Sequence, residues 1–238
     1  MKLESVLQLL RPRQWIKNLF VFLPLFFSGK LFHTELYLPT FIAFLAFCFA
    51  SSSIYCLNDI VDVERDRKHP KKKNRPIACH SISKTVGYII MSLCIIISLG
   101  ISLLSKPKLL IGVIFVYIIM NILYTLKLKR YAIIDVFIIA IGFVLRVFAG
   151  GIADNIVVSH WLVMMTFLLT LFMAFAKRRD DVVIYQNTGI LMRENIVRYN
   201  LSFLNQVIGI LGGITIVCYI SQVSEVRIIN NLLYCDFF

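Results

Sequence analysis

The sequence predicts an all-α protein, a polytopic membrane helical bundle with about seven transmembrane helices in one domain, residues 1–238. Three observations predict this fold class. The chain is 59% hydrophobic and only 16% charged, which leaves too little polar surface to cover a soluble globule of this size. The apolar residues fall into windows of about twenty, the length of a helix that crosses a bilayer. The basic residues gather in alternate loops, as in oriented membrane proteins.

The apolar windows follow one another with short polar connections between them. The first, residues 18–37, is the weakest because it contains Pro24 and Gly29, although membrane helices tolerate both residue types. Lys17 precedes it, and no small-residue cleavage site follows it, so we expect an interfacial N-terminal helix rather than a signal peptide. The other six windows are residues 39–57, 84–104, 109–126, 131–151, 159–176 and 202–222.

The distribution of basic residues predicts the orientation. Of the 25 Lys and Arg residues, 20 fall in one set of alternate loops, one (Arg146) lies within a window, and four lie on the other side. The positive-inside rule then places the N-terminus and the basic loops in the cytoplasm, with the chain in the plasma or inner membrane. Topology therefore explains the net charge of +12. Since no nucleic-acid recognition pattern accompanies it, we exclude nucleic acid as a partner.

An acidic motif, N-D-x-x-D-x-x-x-D, stands at the cytoplasmic end of the second window. If the helix continues, its carboxylates share one face over about two turns. Carboxylate and amide oxygens suit Mg²⁺ shared with substrate phosphates, whereas a solvated helix end is the alternative. The histidines and cysteines have no metal-site spacing. The candidate metal ligands are therefore Asn58, Asp59, Asp62 and Asp66, and the three aspartates are the candidate catalytic residues.

A dense basic run follows the acidic motif, from Arg67 to Arg75. A metal diphosphate needs both oxygens that hold the cation and cations that hold the remaining phosphate charge. We therefore expect Lys73 and Arg75 to bind substrate phosphate. Basic residues beside a bilayer also contact anionic lipid, and we attribute Lys71 and Lys72 to that role.

Two further basic segments lie on the same predicted side. Tyr124 and Lys127 end the fourth window, and Lys177 and Arg178 end the sixth. Each alone would be explained as a positive-inside anchor. Together with the acidic motif they predict a substrate site between helices of the bundle, and Lys17 joins them as a candidate substrate-binding residue.

Asp135 and Arg146 lie within the fifth window, eleven residues or about three helical turns apart, and so share a face. A charged residue in a membrane span usually faces partners or a polar cavity. Both residues are candidates for substrate binding. A structural bridge between helices is an equal alternative for Arg146.

With these residues in view, the sequence resembles the UbiA superfamily of intramembrane prenyltransferases. Within it, the likeness is greatest to the branch that contains decaprenyl-phosphate phosphoribosyltransferase, and it extends to about residue 200. The stretches that carry it are RPRQWIKNLFVFLPLFF (11–27), NDIVDVERDRKHPKKKNRPIA (58–78), YTLKLKRYAIIDVFIIAIGFVLRVFAGG (124–151) and FAKRR (175–179).

The resemblance implies helices around a central cavity, with a Mg²⁺-dependent active site at its cytoplasmic mouth. In the phosphoribosyl branch the donor is phosphoribosyl pyrophosphate and the acceptor is a polyprenyl phosphate. Lys73, Arg75 and Lys127 would then hold donor oxygens, and Lys177 and Arg178 would place the lipid phosphate. The implied partners are these substrates and membrane lipids, and the sequence leaves open whether the chain forms a homo-oligomer.

The chain departs from the family pattern in two places. Family members that prenylate aromatic acids have a second D-x-x-x-D motif, where this chain has KRRDD at 177–181. This favours the phosphoribosyl reading over transfer from a prenyl diphosphate. The family has nine spans, so we expect the last two to be missing here. A transporter would pair charges near the midplane, whereas these gather at one rim, and an inactive scaffold is the remaining alternative.

Overall fold

The computed structural model describes residues 3–69, 72–189 and 195–235, with side chains of the last range through Val226. All regular structure in these ranges is helical, and six of the helices described are long and apolar enough to cross a membrane. The helices are α1 (Leu3–Leu10), α2 (Leu23–Phe27), α3 (Tyr37–Val61), α4 (Val63–Lys68), α5 (Lys84–Leu103), α6 (Leu109–Leu126), α7 (Ile134–Ala153), α8 (His160–Thr188) and α9 (Leu201–Cys235). Short 3₁₀ helices occupy Pro12–Phe22, Thr34–Leu36, Lys72–Asn74, Leu128–Arg130 and Ile196–Arg198.

Helix α3 is the most buried span, and α5, α6, α7 and the 3₁₀ helix Pro12–Phe22 all pack against it. Its buried surface is rich in small residues, among them Ala43, Ala46 and Ala50. Small side chains let neighbouring membrane helices approach closely. The Ser98 hydroxyl of α5 donates a hydrogen bond to the Ala46 carbonyl oxygen over 2.7 Å. The remaining spans continue the bundle in chain order, α6 on α7, α7 on α8 and α8 on α9.

The first predicted window, 18–37, is wrong in its bounds. The structure instead has one helical segment of 3₁₀ and then α geometry over Pro12–Phe27, which we call the entry segment. Its start lies beside the last turn of α3, where Arg11 pairs with Asp59. Its end lies near the last turn of α7, where a Cβ on Gly150 would stand 3.3 Å from Pro24 Cδ. The segment therefore runs the length of the bundle.

The entry segment covers the length of the bundle with fewer residues than an α-helix would need. A 3₁₀ helix rises about 2.0 Å per residue against 1.5 Å for an α-helix, so these residues reach about 30 Å, the thickness of the hydrocarbon core. Residues three apart eclipse in a 3₁₀ helix, and Asn18, Val21 and Pro24 are the buried ones at that spacing. The six later windows each coincide with a long apolar helix, as predicted.

Candidate active site

Two adjoining cavities lie at the end of the bundle where α3 and α6 finish. The polar cavity has a volume of about 190 Å³, and the inner cavity, deeper between the helices, about 380 Å³. Tyr55, Asn58 and Tyr124 line both, so they form the wall between them. The remaining polar-cavity residues are Arg11, Asp62, Arg65, Asp66, Lys72, Arg75, Lys129 and Arg130. The inner cavity is otherwise lined by Lys17, Ser51, Ile54, Tyr117, Asn121, Ile138, Ile139, Gly142, Phe143, Arg146, Thr170, Met173, Ala174, Lys177 and Arg178.

The acidic motif spans a break between α3 and α4. Helix α3 ends at Val61, and Asp62 leaves helical geometry (φ −90°, ψ 7°) before α4 begins at Val63. The backbone hydrogen bonds still run through the break, from Asp62 N to Asn58 O and from Asp66 N to Asp62 O. The backbone therefore keeps helix-like hydrogen bonding across the motif, although the predicted single helix is interrupted.

Cations separate the three carboxylates. Arg75 Nη1 lies 3.1 Å from Asp59 Oδ1 and 2.6 Å from Asp66 Oδ2. Arg11 also pairs with Asp59, and Lys129 Nζ lies 2.6 Å from Asp62 Oδ1. This arrangement offsets the repulsion that adjacent carboxylates would otherwise suffer.

The motif residues differ in their access to the polar cavity. Asn58, Asp62 and Asp66 line it, and the Asn58 amide oxygen accepts a 2.8 Å hydrogen bond from the Thr125 hydroxyl. Asp59 does not line the polar cavity. Its side chain is 1% exposed and is covered by Arg11 and Arg75, with which it forms ion pairs. Asp59 Oδ2 is buried and has no hydrogen-bond partner among the described residues.

The donor atoms suit Mg²⁺ chemically, since carboxylate and amide oxygens are its preferred protein ligands. In the described part of the chain, no three His, Cys, Asp or Glu side chains stand close enough together to hold a metal ion. Arg75 and Lys129 occupy the carboxylates instead. The oxygen set fits the metal, and binding it would require these two cations to exchange partners.

Arg146 projects from α7 into the inner cavity and bridges three elements. It donates through Nε to Asn18 Oδ1 (2.8 Å), through Nη2 to the Tyr117 hydroxyl (2.9 Å), and through Nη1 to the Gly142 carbonyl oxygen (2.7 Å). Its guanidinium also lies 5.1 Å from the centre of the Phe143 ring. Through these contacts Arg146 links α7 to the entry segment and to α6, and it also lines the inner cavity.

Asp135 and Arg178 form a buried ion pair between α7 and α8. Arg178 Nε lies 2.7 Å from Asp135 Oδ2, and each side chain is 1% exposed. The Tyr199 hydroxyl donates to Asp135 Oδ1 (2.8 Å) and accepts from the Ile133 backbone N–H (2.8 Å). Burial raises the pKa of Tyr199 above its ordinary value, so the hydroxyl keeps its proton. Asp135 thus acts behind Arg178, which lines the inner cavity.

Lys177 and Arg178 lie within α8, which continues past the predicted end of the sixth window to Thr188. A fixed helical position suits a binding residue, since regular elements hold side chains more closely than loops do. Lys17 of the entry segment faces the same cavity. The structure therefore brings eleven of the thirteen predicted residues together around the two cavities. Two of them, Asp59 and Asp135, contact residues that line a cavity. The other nine line the cavities themselves: Lys17, Asn58, Asp62, Asp66, Arg75, Tyr124, Arg146, Lys177 and Arg178.

Lys73 and Lys127 are exposed and line neither cavity. Lys72–Asn74 is a 3₁₀ turn, in which successive side chains diverge by about a third of a turn, and it is Lys72 that lines the polar cavity. Lys127 follows the last residue of α6, so it leaves the helical face that carries Tyr124. Lys71 lies outside the described residues.

Sequence reasoning missed several basic residues of the polar cavity. Lys129 and Arg130 come from the 3₁₀ turn after α6, and Arg65 comes from α4. Arg11 stands in left-handed backbone geometry (φ 53°) immediately before Pro12, which turns the chain from α1 into the entry segment. The signal available for Arg11 was the R-P pair, because proline at the first helical position marks a helix start.

Comparison with known proteins places this geometry in context. Residues 19–225 match the family model described as the UbiA prenyltransferase family. The chain is 36% identical over 220 residues to decaprenyl-phosphate phosphoribosyltransferase of Mycolicibacterium smegmatis, covering 91% of this chain and 69% of that protein. It is 34% identical over 204 residues to the protein of the same name in Corynebacterium glutamicum, covering 84% and 61%.

A solved structure has the same fold. It is described as a UbiA homolog from Archaeoglobus fulgidus bound to DMAPP and Mg²⁺, and it superposes with a TM-score of 0.77. The match covers 96% of this chain and 82% of that one, at 18% sequence identity. The all-α membrane bundle predicted from the sequence is thereby confirmed.

Proposed function

The chain belongs to the UbiA prenyltransferase family, and from that premise we propose that it transfers phosphoribose from phosphoribosyl pyrophosphate to a polyprenyl phosphate. Diphosphate is the leaving group, and Mg²⁺ is the cofactor. The two curated relatives are named decaprenyl-phosphate phosphoribosyltransferase, and this supports the donor and the acceptor. The structural neighbour described as bound to DMAPP and Mg²⁺ supports the metal.

The charge balance of the polar cavity favours phosphoribosyl pyrophosphate over a prenyl diphosphate as the donor. Two carboxylates, Asp62 and Asp66, line the cavity, and a third, Asp59, lies behind them in contact with the lining. Six cations accompany these three carboxylates: Arg11, Arg65, Lys72, Arg75, Lys129 and Arg130. A donor with several phosphate groups would offset this excess. Phosphoribosyl pyrophosphate bears a diphosphate at C1 and a further phosphate at C5, whereas a prenyl diphosphate bears the diphosphate alone. The additional cations therefore favour the phosphoribosyl donor.

The inner cavity suits the lipid acceptor. Ile138, Ile139 and Phe143 supply apolar wall, while Lys17 and Lys177 bring positive charge to the same space. A polyprenyl phosphate combines an apolar chain with an anionic head. The apolar wall would contact the chain, and the two lysines would contact the phosphate. Because Tyr55, Asn58 and Tyr124 belong to both cavities, the two substrates would meet at this shared wall.

We propose that a polyprenyl phosphate oxygen attacks ribose C1 while the C1–O bond to diphosphate breaks. The leaving diphosphate takes the bonding electron pair. The attacking phosphate is already anionic, so no general base is needed. Asn58, Asp62 and Asp66 would hold Mg²⁺, which when bound supplies positive charge to the leaving group. Arg75 and Lys129 would bind phosphate oxygens, and Lys177 and Arg178 would hold the acceptor phosphate.

The second candidate function is transfer of a prenyl group from a prenyl diphosphate to an aromatic acceptor. The structural neighbour bound to DMAPP favours it. Against it, the chain has Lys177 and Arg178 where the aromatic-acid enzymes have a second acidic motif. A basic pair suits a substrate phosphate better than a second metal ion.

The proposed site lies on the cytoplasmic side. Both cavities open among the connections that carry the large excess of basic residues, and the positive-inside rule assigns such connections to the cytoplasm. This orientation would give the site access to water-soluble phosphoribosyl pyrophosphate, while the acceptor would enter from the lipid. Asp135 supports the same site by holding Arg178.

The direct test is transfer of label in lipid nanodiscs. Purified protein would be incubated with radiolabelled phosphoribosyl pyrophosphate and a polyprenyl phosphate, with and without Mg²⁺, and label would be counted in the organic phase. We expect Mg²⁺-dependent transfer, and none with Asp62→Asn. Parallel reactions with labelled prenyl diphosphate and an aromatic acid test the second candidate, and transfer in those alone would overturn the proposed donor.

A further inference from the structure

A third cavity lies at the opposite end of the bundle, away from the candidate active site. Its volume is about 400 Å³. It forms where Ser28 and Lys30, just after the entry segment, meet the α7–α8 connection and the last described side chains of α9. No residue of this outer cavity belongs to the candidate active site, so the proposed reaction does not account for it.

The outer cavity contains a buried polar atom that lacks a partner. Gln222 of α9 is 2% exposed and lines the cavity, and its Oε1 accepts no hydrogen bond from the described residues. Folded proteins rarely leave such an atom unpaired, because burial removes its hydrogen bonds to water. Since Gln222 faces the cavity, a ligand there would have to supply an N–H or O–H donor.

The charged residues of the outer cavity are arranged by depth. Glu225, one helical turn after Gln222, is half-buried and accepts a hydrogen bond from the Ser159 hydroxyl. Lys30 is exposed at the rim. The inner part therefore offers acceptors, an amide oxygen and a carboxylate, and the rim offers a cation. A complementary ligand has a cationic N–H donor at one end and an anionic group next to it.

We propose that the outer cavity binds the headgroup of an aminophospholipid such as phosphatidylethanolamine. Its ammonium would donate to Gln222 and Glu225, and its phosphate would lie near Lys30. Phe27 and the exposed Val157 add apolar surface for the first part of the acyl chains. Phosphatidylcholine has no N–H donor and phosphatidylglycerol has no cation, so neither satisfies both parts of the cavity. This assignment is independent of the proposed transferase activity.

Native mass spectrometry of the full chain tests the proposal. The protein would be released from nanodiscs that contain equal amounts of phosphatidylethanolamine, phosphatidylcholine and phosphatidylglycerol, and retained lipid would be counted. We expect preferential retention of phosphatidylethanolamine. Gln222→Leu should weaken that retention about tenfold, the effect of losing one hydrogen bond to a charged group. Gln186→Leu, at an exposed glutamine of α8, is the matched control and should retain lipid like the parent chain.

Two further arms separate the remaining explanations. Glu225→Gln keeps the side-chain shape and removes the charge, so it should also reduce retention of phosphatidylethanolamine. This variant tests the proposal even if Gln222→Leu cannot be purified. Water-soluble glycerophosphoethanolamine should fail to displace the lipid, because it lacks the acyl chains. Equal retention of phosphatidylethanolamine and phosphatidylcholine, or unchanged retention in both variants, would overturn the proposal. Full displacement by glycerophosphoethanolamine would show that the cavity recognises the headgroup without acyl chains, and the proposal that it binds a membrane lipid would be wrong.

Discussion

Asp59 and Asp62 stand three residues apart in one motif and have different surroundings. Asp62 lines the polar cavity with a side chain that is 24% exposed, and Lys129 is its ion-pair partner. Asp59 is 1% exposed and lies behind the cavity between Arg11 and Arg75. The spacing of the motif predicts both as metal ligands. From their burial we propose that Asp62 acts on the substrate side and that Asp59 supports the neighbouring cations.

Asp62→Asn should remove activity with little effect on folding. We expect transfer to fall by two orders of magnitude or more, the typical cost of losing a group that stabilises transition-state charge. The nanodisc transfer assay and thermal unfolding would be measured together. Glu64→Gln is the matched control, because Glu64 follows in α4, is 71% exposed and lies outside the cavity. Parent-like turnover in Asp62→Asn would exclude Asp62 from the metal site.

Asp59→Ala should lower stability as well as activity. It leaves Arg11 and Arg75 without their shared carboxylate, and removal of one partner from a buried ion pair costs on the order of 3 kcal/mol. Thermal unfolding in detergent should begin at a clearly lower temperature than in Asp62→Asn. If the two variants unfold at the same temperature, the supporting role of Asp59 is wrong.

At the scale of elements, α7 connects the inner cavity to the rest of the bundle. One of its faces carries Asp135, which holds Arg178 of α8, and Arg146, which reaches the entry segment. Near the end of α7, the backbone of Gly150 lies so close to the entry segment that an added Cβ would clash with the Val21 carbonyl oxygen. Helix α7 therefore contacts both α8 and the entry segment through buried polar groups, and the entry segment also through a close backbone approach.

Tyr199→Phe should loosen the contact between the start of α7 and the connection that precedes α9. The substitution leaves Asp135 Oδ1 and the Ile133 N–H without their shared hydroxyl, and a lost buried hydrogen bond of this kind costs about 1–3 kcal/mol. A lower unfolding temperature is expected. The exposed Tyr131 provides the control, since Tyr131→Phe should unfold like the parent chain.

Gly150→Ala should disturb the contact between α7 and the entry segment. A Cβ at this position would stand 1.8 Å from the Val21 carbonyl oxygen, which is backbone and cannot rotate away. Overpacking of this kind typically costs about 1–3 kcal/mol and sometimes more. Gly100→Ala in α5 is the control, because nothing lies within 4 Å of its added Cβ. Equal unfolding temperatures for the two variants would contradict the close approach.

At the scale of the whole molecule, the sequence was informative where one physical cause dominated. Hydropathy located the six long spans, and charge placement located the end that carries the site. Lys73 and Lys127 were misplaced because their side-chain directions depend on a 3₁₀ turn and on a helix end, which neither composition nor spacing specifies. Arg11 was missed because its partner, Asp59, is 48 residues away in the chain.

The orientation of the whole molecule can be checked through Cys79. It is exposed in the connection before α5, and its hydrogen bond with Ser81 lowers the pKa of the thiol, which favours the reactive thiolate. In a Cys235→Ser background, a membrane-impermeant maleimide should label Cys79 in inside-out vesicles and not in right-side-out ones. Lys106→Cys, in a background that also carries Cys79→Ser, should give the reverse pattern. Labelling of Cys79 from the outside would invert the proposed topology.

The stretched geometry of the entry segment constrains how its sequence can change. With three residues per turn, a single inserted residue between Pro12 and Asn18 would rotate the following side chains by about 120° and shift them along the axis. Asn18 would then leave Arg146, its partner at 2.8 Å. The segment should accept many substitutions on its outer side but no change in length, so deletions and insertions there should be as damaging as loss of a cavity residue.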